Sequence, residues 1–200
     1  ASDATGIGHP GWAAHGGPTD RTSHTNLSAD GKVAVIHNGI IENFAELKQE
    51  LVESGATFTS ETDTEVAALL VGREYESTQD LTEALRRVVA RLHGAFTLLV
   101  MHEDQPGVVV GARRNSPLVI GLGEGEYFVA SDVPAILAHT RDMFFLSDGD
   151  MAVLTQDVGG VTSFLQRIPS VSFHVAVVVS AVAYLFWVSF STAMLMLIVM

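Results

Sequence analysis

The chain has 200 residues, a formal net charge of −12 at pH 7, no cysteine, and 48% hydrophobic residues. This length allows one domain, or one domain and a tail, with enough apolar content for a core. An acidic chain without a basic, aromatic-interleaved stripe argues against nucleic-acid binding, and the lack of cysteine excludes disulfides, thiolate metal sites and a cysteine nucleophile within these residues.

The predicted elements begin after a loop-like segment, 1–30, that is rich in Gly, His and Thr. A continuous apolar run predicts a strand over 32–37, and helical periodicity predicts helices over 43–54, 63–76 and 80–93. The third of these helices places on one face Leu81, Leu85, Val88, Val89 and Leu92. Later apolar runs predict strands over 96–102, 108–112, 117–121, 127–130, 144–146 and 151–155, with a short helix over 133–139. Helices that come first and strands that follow as hairpins indicate an α+β layered domain.

The first predicted strand leads into the stretch 37–43, which reads His-Asn-Gly-Ile-Ile-Glu-Asn. An Asn38-Gly39 pair at a strand end predicts a turn in which the backbone can approach a ligand closely. The Asn38 amide and the Gly39 N–H are also donors of the kind that bind an oxyanion. By itself such a pair is more often a turn than a site.

A second polar segment, 60–65, reads Ser-Glu-Thr-Asp-Thr-Glu and precedes the apolar run 66–70. Ser60 or Asp63 can cap the helix that begins there, and acidic residues are favoured in a first helical turn. Taken alone, this segment predicts a helix start.

The two segments together, in this order, resemble the glutaminase domain (a class II glutamine amidotransferase domain) of glucosamine-6-phosphate synthase. The similarity continues in 8–19, 116–123 and 130–132 and covers about residues 5–158. It implies a partial four-layer αββα sandwich of the N-terminal nucleophile hydrolase type, a cytoplasmic location and L-glutamine as substrate. Sibling class II amidotransferases, such as the purine-pathway phosphoribosyl amidotransferase or asparagine synthetase, are alternatives, but the combination of the two motifs favours the aminosugar enzyme.

The resemblance also implies roles for individual residues. It places the oxyanion hole on Asn38 and Gly39, and recognition of the glutamine α-amino group on Asp63. It leaves Trp12 and His15 as residues that line the substrate pocket. In the family an N-terminal cysteine attacks the glutamine amide, and the chain contains no cysteine. We therefore expect the chain as given to lack glutaminase activity. The eight histidines show no paired metal-ligand spacing, so we expect no metal and no cofactor.

The sequence departs from the family where the glutamine α-carboxylate would bind. The family pattern Thr-Arg-Trp-Ala-Thr-His-Gly reads Pro-Gly-Trp-Ala-Ala-His-Gly over 10–16. The arginine of that pattern is replaced by Gly11 and the second threonine by Ala14. Losing one partner of a desolvated charge pair costs about 2–5 kcal/mol, which is about 1.5–3.5 decades of glutamine affinity.

The composition changes near residue 160. We expect residues 1–160 to carry the partial amidotransferase domain and 161–200 to be an apolar tail. Segment 168–200 has no Asp, Glu, Lys or Arg, and as a helix it would span about 50 Å against a hydrocarbon core of about 30 Å. It does not resemble the family, in which two sugar-phosphate isomerase domains follow. Three interpretations stay open: a foreign or frame-shifted terminus, a membrane anchor, or a buried core segment. A genuine anchor would make the chain a membrane-associated, non-catalytic interaction module.

Overall fold

The computed structural model describes residues 5–8 and 26–155, and its central element is a five-stranded antiparallel sheet. In chain order the elements are β1 (Asn26–Leu27), β2 (Val33–Ile41), α1 (Phe44–Glu53), α2 (Asp63–Thr78), α3 (Leu81–Val89), β3 (Gly94–His102), β4 (Val109–Arg114), β5 (Val119–Leu122), β6 (Tyr127–Ala130), β7 (Met143–Phe145) and β8 (Met151–Leu154). The larger sheet has the order β1-β2-β3-β4-β8, and a smaller sheet has the order β6-β5-β7. Helices that pack on antiparallel sheets make this an α+β fold, as predicted.

The helices cover one face of the larger sheet. Helix α2 packs against β2, and α1 and α3 pack against α2. The predicted apolar face of α3 is confirmed, because its four residues within the helix are fully buried, as is the fifth, Leu92, which lies just beyond the end of the helix. Asp80 begins this helix, since its carboxylate accepts hydrogen bonds from the N–H groups of Thr82 (2.8 Å) and Glu83 (3.1 Å).

The opposite face of the larger sheet packs on the smaller sheet. Between them lies a buried apolar cluster to which both sheets contribute: Ile36, Leu99, Val109, Leu118, Ile120, Leu146 and Ala152. Ile36 points into this cluster while its neighbour His37 contacts α2, because successive strand residues face opposite sides. The described residues therefore form a helical layer, a five-stranded layer and a three-stranded layer.

Four predictions of element positions differ clearly from the structure. Helix α3 ends at Val89, four residues before its predicted end at residue 93. Strand β1 lies within the segment predicted as a loop, because two residues are too few to give a period. Strand β2 continues to Ile41, four residues beyond its predicted end. Segment 133–139 forms consecutive turns, with Ile136 N–H bonded to Val133 O at 3.0 Å, rather than a helix. So short a segment closes too few helical hydrogen bonds to repay nucleation.

Within the described ranges, no helix is both long and apolar enough to cross a bilayer. The apolar segment 168–200, on which the membrane hypothesis was based, lies outside those ranges.

Candidate functional site

The Asn38-Gly39 pair lies inside a strand and not in a turn. Asn38 pairs with Thr97 and Gly39 with Phe96 in the register between β2 and β3. The turn was therefore predicted at the wrong residues, because the chain turns at 42–43, after Ile41. The pattern misplaced it because Asn-Gly is typical of turns, whereas here a neighbouring strand determines the backbone.

Glycine is required at position 39 for two reasons. Its φ is +131°, a region that L side chains rarely adopt. A Cβ at this position would also lie closer than 3.0 Å to the carbonyl oxygen of Ala95 and 2.8 Å from Phe96 Cα. The backbone of β3 therefore lies directly against Gly39, and any side chain would push the two strands apart.

A second glycine, Gly94, allows the same close approach from the other strand. Its φ is +111°, and a Cβ there would lie closer than 3.0 Å to Ile40 O and 3.1 Å from the backbone nitrogen of Glu42. Its φ and its contact with β2 depend on pairing across more than fifty residues, which local pattern does not reveal.

Asn43 and Glu42 fix the turn that follows. The Asn43 amide donates to Arg91 O at 3.0 Å and accepts from the N–H of His93 at 2.9 Å. The N–H of Glu42 donates to His93 O at 2.9 Å. The end of the His-Asn-Gly-Ile-Ile-Glu-Asn stretch thus holds the start of β3 against the end of β2.

Asp63 is the first residue of α2, and its carboxylate reaches β2. The N-cap is Thr62, whose hydroxyl accepts from the N–H of Glu65 at 3.3 Å, so the prediction of Ser60 or Asp63 as the cap is wrong. The Asp63 side chain is consequently directed elsewhere, and its Oδ2 accepts from the N–H of Ile41 at 2.9 Å. Asp63 itself is buried, with 3% of its surface exposed.

His37 approaches the same carboxylate from the other side of the Asn-Gly pair. Its Nδ1 lies 3.4 Å from Asp63 Oδ1 and 3.2 Å from Thr64 Oγ1. The imidazole is almost fully buried, at 3% exposure. Local sequence pattern predicts no role for His37, whose one local signal is its position directly before Asn38.

Glu65 orders the loop in front of α2. Its carboxylate accepts from the N–H and hydroxyl of Thr59 (2.7 and 2.8 Å) and from those of Ser60 (both 2.6 Å). Burial by itself would raise the pKa of Glu65, but the hydrogen bonds from Ser60 and Thr59 outweigh it and hold the pKa below its ordinary value. The Ser-Glu-Thr-Asp-Thr-Glu segment is therefore a scaffold that presents Asp63.

Three of the five predicted site residues, Asn38, Gly39 and Asp63, lie in the described part of the chain, and Asp63 contacts β2 on both sides of the Asn38-Gly39 pair, at His37 and at Ile41. The other two, Trp12 and His15, lie outside the described residues, as do Gly11 and Ala14. No group of three or more His, Cys, Asp or Glu side chains in the described ranges could hold a metal ion.

Comparison with known proteins identifies the family. Residues 19–138, more than half of the chain, match the profile of the glutamine amidotransferase domain. The glutamine–fructose-6-phosphate aminotransferases of Leifsonia xyli and Streptomyces coelicolor are each 60% identical, over 160 and 161 residues, which is 80% of this chain and 26% of either relative. The chain thus spans about a quarter of the length of these curated relatives.

A solved structure is similar as well. The glutamine phosphoribosylpyrophosphate amidotransferase from B. subtilis, determined with ADP and GMP, aligns with a TM-score of 0.56 and 28% identity, over 66% of this chain and 29% of that one. The matched profile includes β1, β2, the three helices and the strands up to β6, and with them Asn38, Gly39 and Asp63. The chain therefore belongs to the glutamine amidotransferase domain family.

Proposed function

We propose that this chain is the glutamine-binding part of a glutamine–fructose-6-phosphate aminotransferase, the enzyme class of its 60% identical relatives. In that reaction, ammonia released from L-glutamine converts fructose 6-phosphate to glucosamine 6-phosphate. The observation that carries the proposal is the contact of the Asp63 carboxylate with β2 on both sides of the Asn38-Gly39 pair, at His37 and at Ile41. The sibling phosphoribosyl amidotransferase matches at only 28% identity, which favours the aminosugar enzyme.

The proposed chemistry divides between two groups of atoms. The Asn38 amide and the Gly39 N–H would donate to the oxygen that becomes negative when a thiolate attacks the glutamine amide. Removing one such donor typically costs about 10²–10³ in turnover. The Asp63 carboxylate would bind the substrate ammonium, because each carboxylate oxygen can accept more than one hydrogen bond and so remains an acceptor while it holds Ile41 N–H.

Two parts of the reaction are not carried by these 200 residues. They contain no cysteine, so the attacking thiol is not among them. They match only the glutamine-hydrolysing portion of the relatives, so the sugar-phosphate chemistry would belong to the isomerase domains of a longer protein. We propose that residues 1–160 form the amidotransferase domain and that 161–200 do not belong to it. Nothing in the described residues favours the membrane-tethered alternative.

We also propose a fold for the complete domain, from the layers that the structure describes and from the similar solved structure. The proposed fold is a four-layer αββα sandwich of the N-terminal nucleophile hydrolase type. The helical layer and the five-stranded and three-stranded sheets would be three of its four layers. The similarity to the B. subtilis amidotransferase structure supports it further. The cytoplasmic location stays a prediction from the family.

Calorimetric titration of the 200-residue polypeptide with L-glutamine tests the proposal. We expect Asp63→Asn to weaken binding at least 10-fold, and Asp142→Asn, which changes an exposed carboxylate, to leave binding unaltered. We further propose that Trp12 and His15 line the pocket, with Gly11 and Ala14 in place of the carboxylate-binding side chains. The double substitution Gly11→Arg and Ala14→Thr should then tighten binding by about 1.5–3.5 decades.

Two results would contradict this function. One is equal L-glutamine affinity in the Asp63→Asn and Asp142→Asn variants. The other is unchanged affinity after Gly11→Arg and Ala14→Thr. Ammonia release from L-glutamine by the unaltered polypeptide, above a protein-free blank, would contradict the claim that hydrolysis needs a thiol that is not among these 200 residues.

A further inference from the structure

The Asp63 carboxylate contacts β2 on both sides of the Asn38-Gly39 pair. Its Oδ2 accepts from the backbone N–H of Ile41 at 2.9 Å, and its Oδ1 lies 3.4 Å from the Nδ1 of His37. One carboxylate therefore ties the residue before the pair to a residue after it. The side chains of both His37 and Asp63 are almost fully buried, at 3% and 5% exposure.

The chemistry of these atoms determines which nitrogen of His37 carries the proton. A carboxylate oxygen only accepts hydrogen bonds, so a bare Nδ1 beside it would bring two lone pairs together. A proton on Nδ1 removes this repulsion and lets the ring donate toward Asp63 Oδ1 and Thr64 Oγ1. His37 Nε2 is buried and has no hydrogen-bond partner among the residues that the structure describes. A bare Nε2 fits that environment better than an N–H, because a buried unpaired donor is costly.

We propose that His37 is a positioning residue, which through an Nδ1–H donor fixes the Asp63 carboxylate and with it the backbone of β2 at Ile41. The inference rests on the proposed function, because the carboxylate so fixed is the one that would bind the glutamine ammonium. His37 contacts neither the substrate nor the reacting atoms in this scheme. It sets the direction of Asp63 and keeps the Asn38-Gly39 donors in place.

A matched pair of variants separates this role from simple packing. In His37→Asn the side-chain amide occupies nearly the position of Nδ1, whereas in His37→Gln it occupies nearly that of Nε2. We expect His37→Asn to retain L-glutamine affinity within about 3-fold and His37→Gln to weaken it at least 10-fold. A residue that only fills space would show no such preference for the shorter amide.

Two further measurements do not depend on glutamine binding. Two-bond proton–nitrogen spectra of histidine-labelled protein should show His37 with Nδ1 protonated and Nε2 bare. Amide hydrogen exchange at Ile41 should accelerate at least 10-fold in His37→Gln and less than 3-fold in His37→Asn. The amide of Val35, in the same strand, should be unchanged in both, which distinguishes local release from global destabilisation.

The outcomes separate the two proposals. If the unaltered chain binds no L-glutamine, the proposed function fails, while the ring spectrum and the Ile41 exchange still decide the role of His37. If Asp63→Asn abolishes binding but His37→Asn and His37→Gln behave alike, the function stands and the positioning role is overturned. A spectrum with Nε2 protonated and Nδ1 bare overturns the positioning role by itself, even if neither variant folds.

Discussion

Replacement of Gly39 by alanine tests the idea that the strands meet too closely there for any side chain. The substitution forces a residue with a Cβ to adopt a φ of +131° and places that Cβ closer than 3.0 Å to Ala95 O. Backbone atoms cannot rotate away as a flexible side chain can. The strain must therefore be relieved by a separation of β2 from β3 at the proposed oxyanion hole.

The expected magnitude has two parts. A non-glycine residue held at unfavourable φ costs about 1–3 kcal/mol, and overpacking costs about 1–3 kcal/mol. The sum of about 2–6 kcal/mol is a large fraction of the 5–15 kcal/mol by which domains are typically stable. With a urea dependence of about 2 kcal/mol per molar, a loss of about 4 kcal/mol lowers the unfolding midpoint by about 2 M.

Urea unfolding followed by far-UV circular dichroism measures this shift, and two other glycines serve as controls. Gly125 has a φ of +78° and nothing within 4 Å of an added Cβ, so Gly125→Ala isolates the conformational cost, about 1 kcal/mol. Gly72 lies within α2, where an added Cβ would meet Ser28 Cβ at 2.7 Å. Gly72→Ala isolates the cost of steric overlap, which is reduced by the gain of about 1 kcal/mol that alanine brings over glycine in helix propensity. If Gly39→Ala and Gly125→Ala unfold at the same urea concentration, close strand approach is not what requires glycine at position 39.

Two further predictions concern the scaffold. The pKa of Glu65 is depressed in the folded chain, so its contribution to stability is present above about pH 4.3, the usual pKa of a glutamate, and is lost as pH falls through the lower folded value. The difference in unfolding free energy between the unaltered chain and Glu65→Gln should therefore shrink from pH 7 toward pH 3, and a difference that is constant with pH would contradict the hydrogen-bond assignment. Asp80→Ala should cost about 0.5–2 kcal/mol in urea unfolding, because the N–H groups of Thr82 and Glu83 lose their acceptor, whereas Asp80→Asn should restore most of the loss. Equal stability of the two Asp80 variants would show that the carboxylate does not cap α3.

Local sequence pattern predicted the elements well where the local signal was strong. The apolar period in 81–92 was enough to place α3 and its buried face, because a helix of that length shows its period directly. The same holds for the existence of β3 to β6. The prediction was weaker at the ends of elements. Helix α2 is capped by Thr62 rather than by Ser60 or Asp63, and all three of these residues, which lie within four positions, are chemically able to cap it.

The candidate site divides in the same way. The order and spacing of two short segments, with Asn38, Gly39 and Asp63 in them, were enough to indicate the family by resemblance, and the family profile confirms it. Nothing in the residues between Gly39 and Asp63 indicates that Asp63 contacts the strand that carries Gly39. This contact requires α2 to lie across β2, and that packing depends on apolar contacts far apart in the chain.

The sequence by itself therefore determined the family, the α+β class, most elements and the residue types suited to the chemistry. Only the tertiary structure decided that Asn38 and Gly39 lie within a strand, that Gly94 faces it from β3, and that His37 and Ile41 meet one buried carboxylate. The physical reason is that periodicity and capping are local properties of a segment. Backbone clearance at Gly39 and hydrogen bonding at Asp63 exist only after β2, β3 and α2 have packed together.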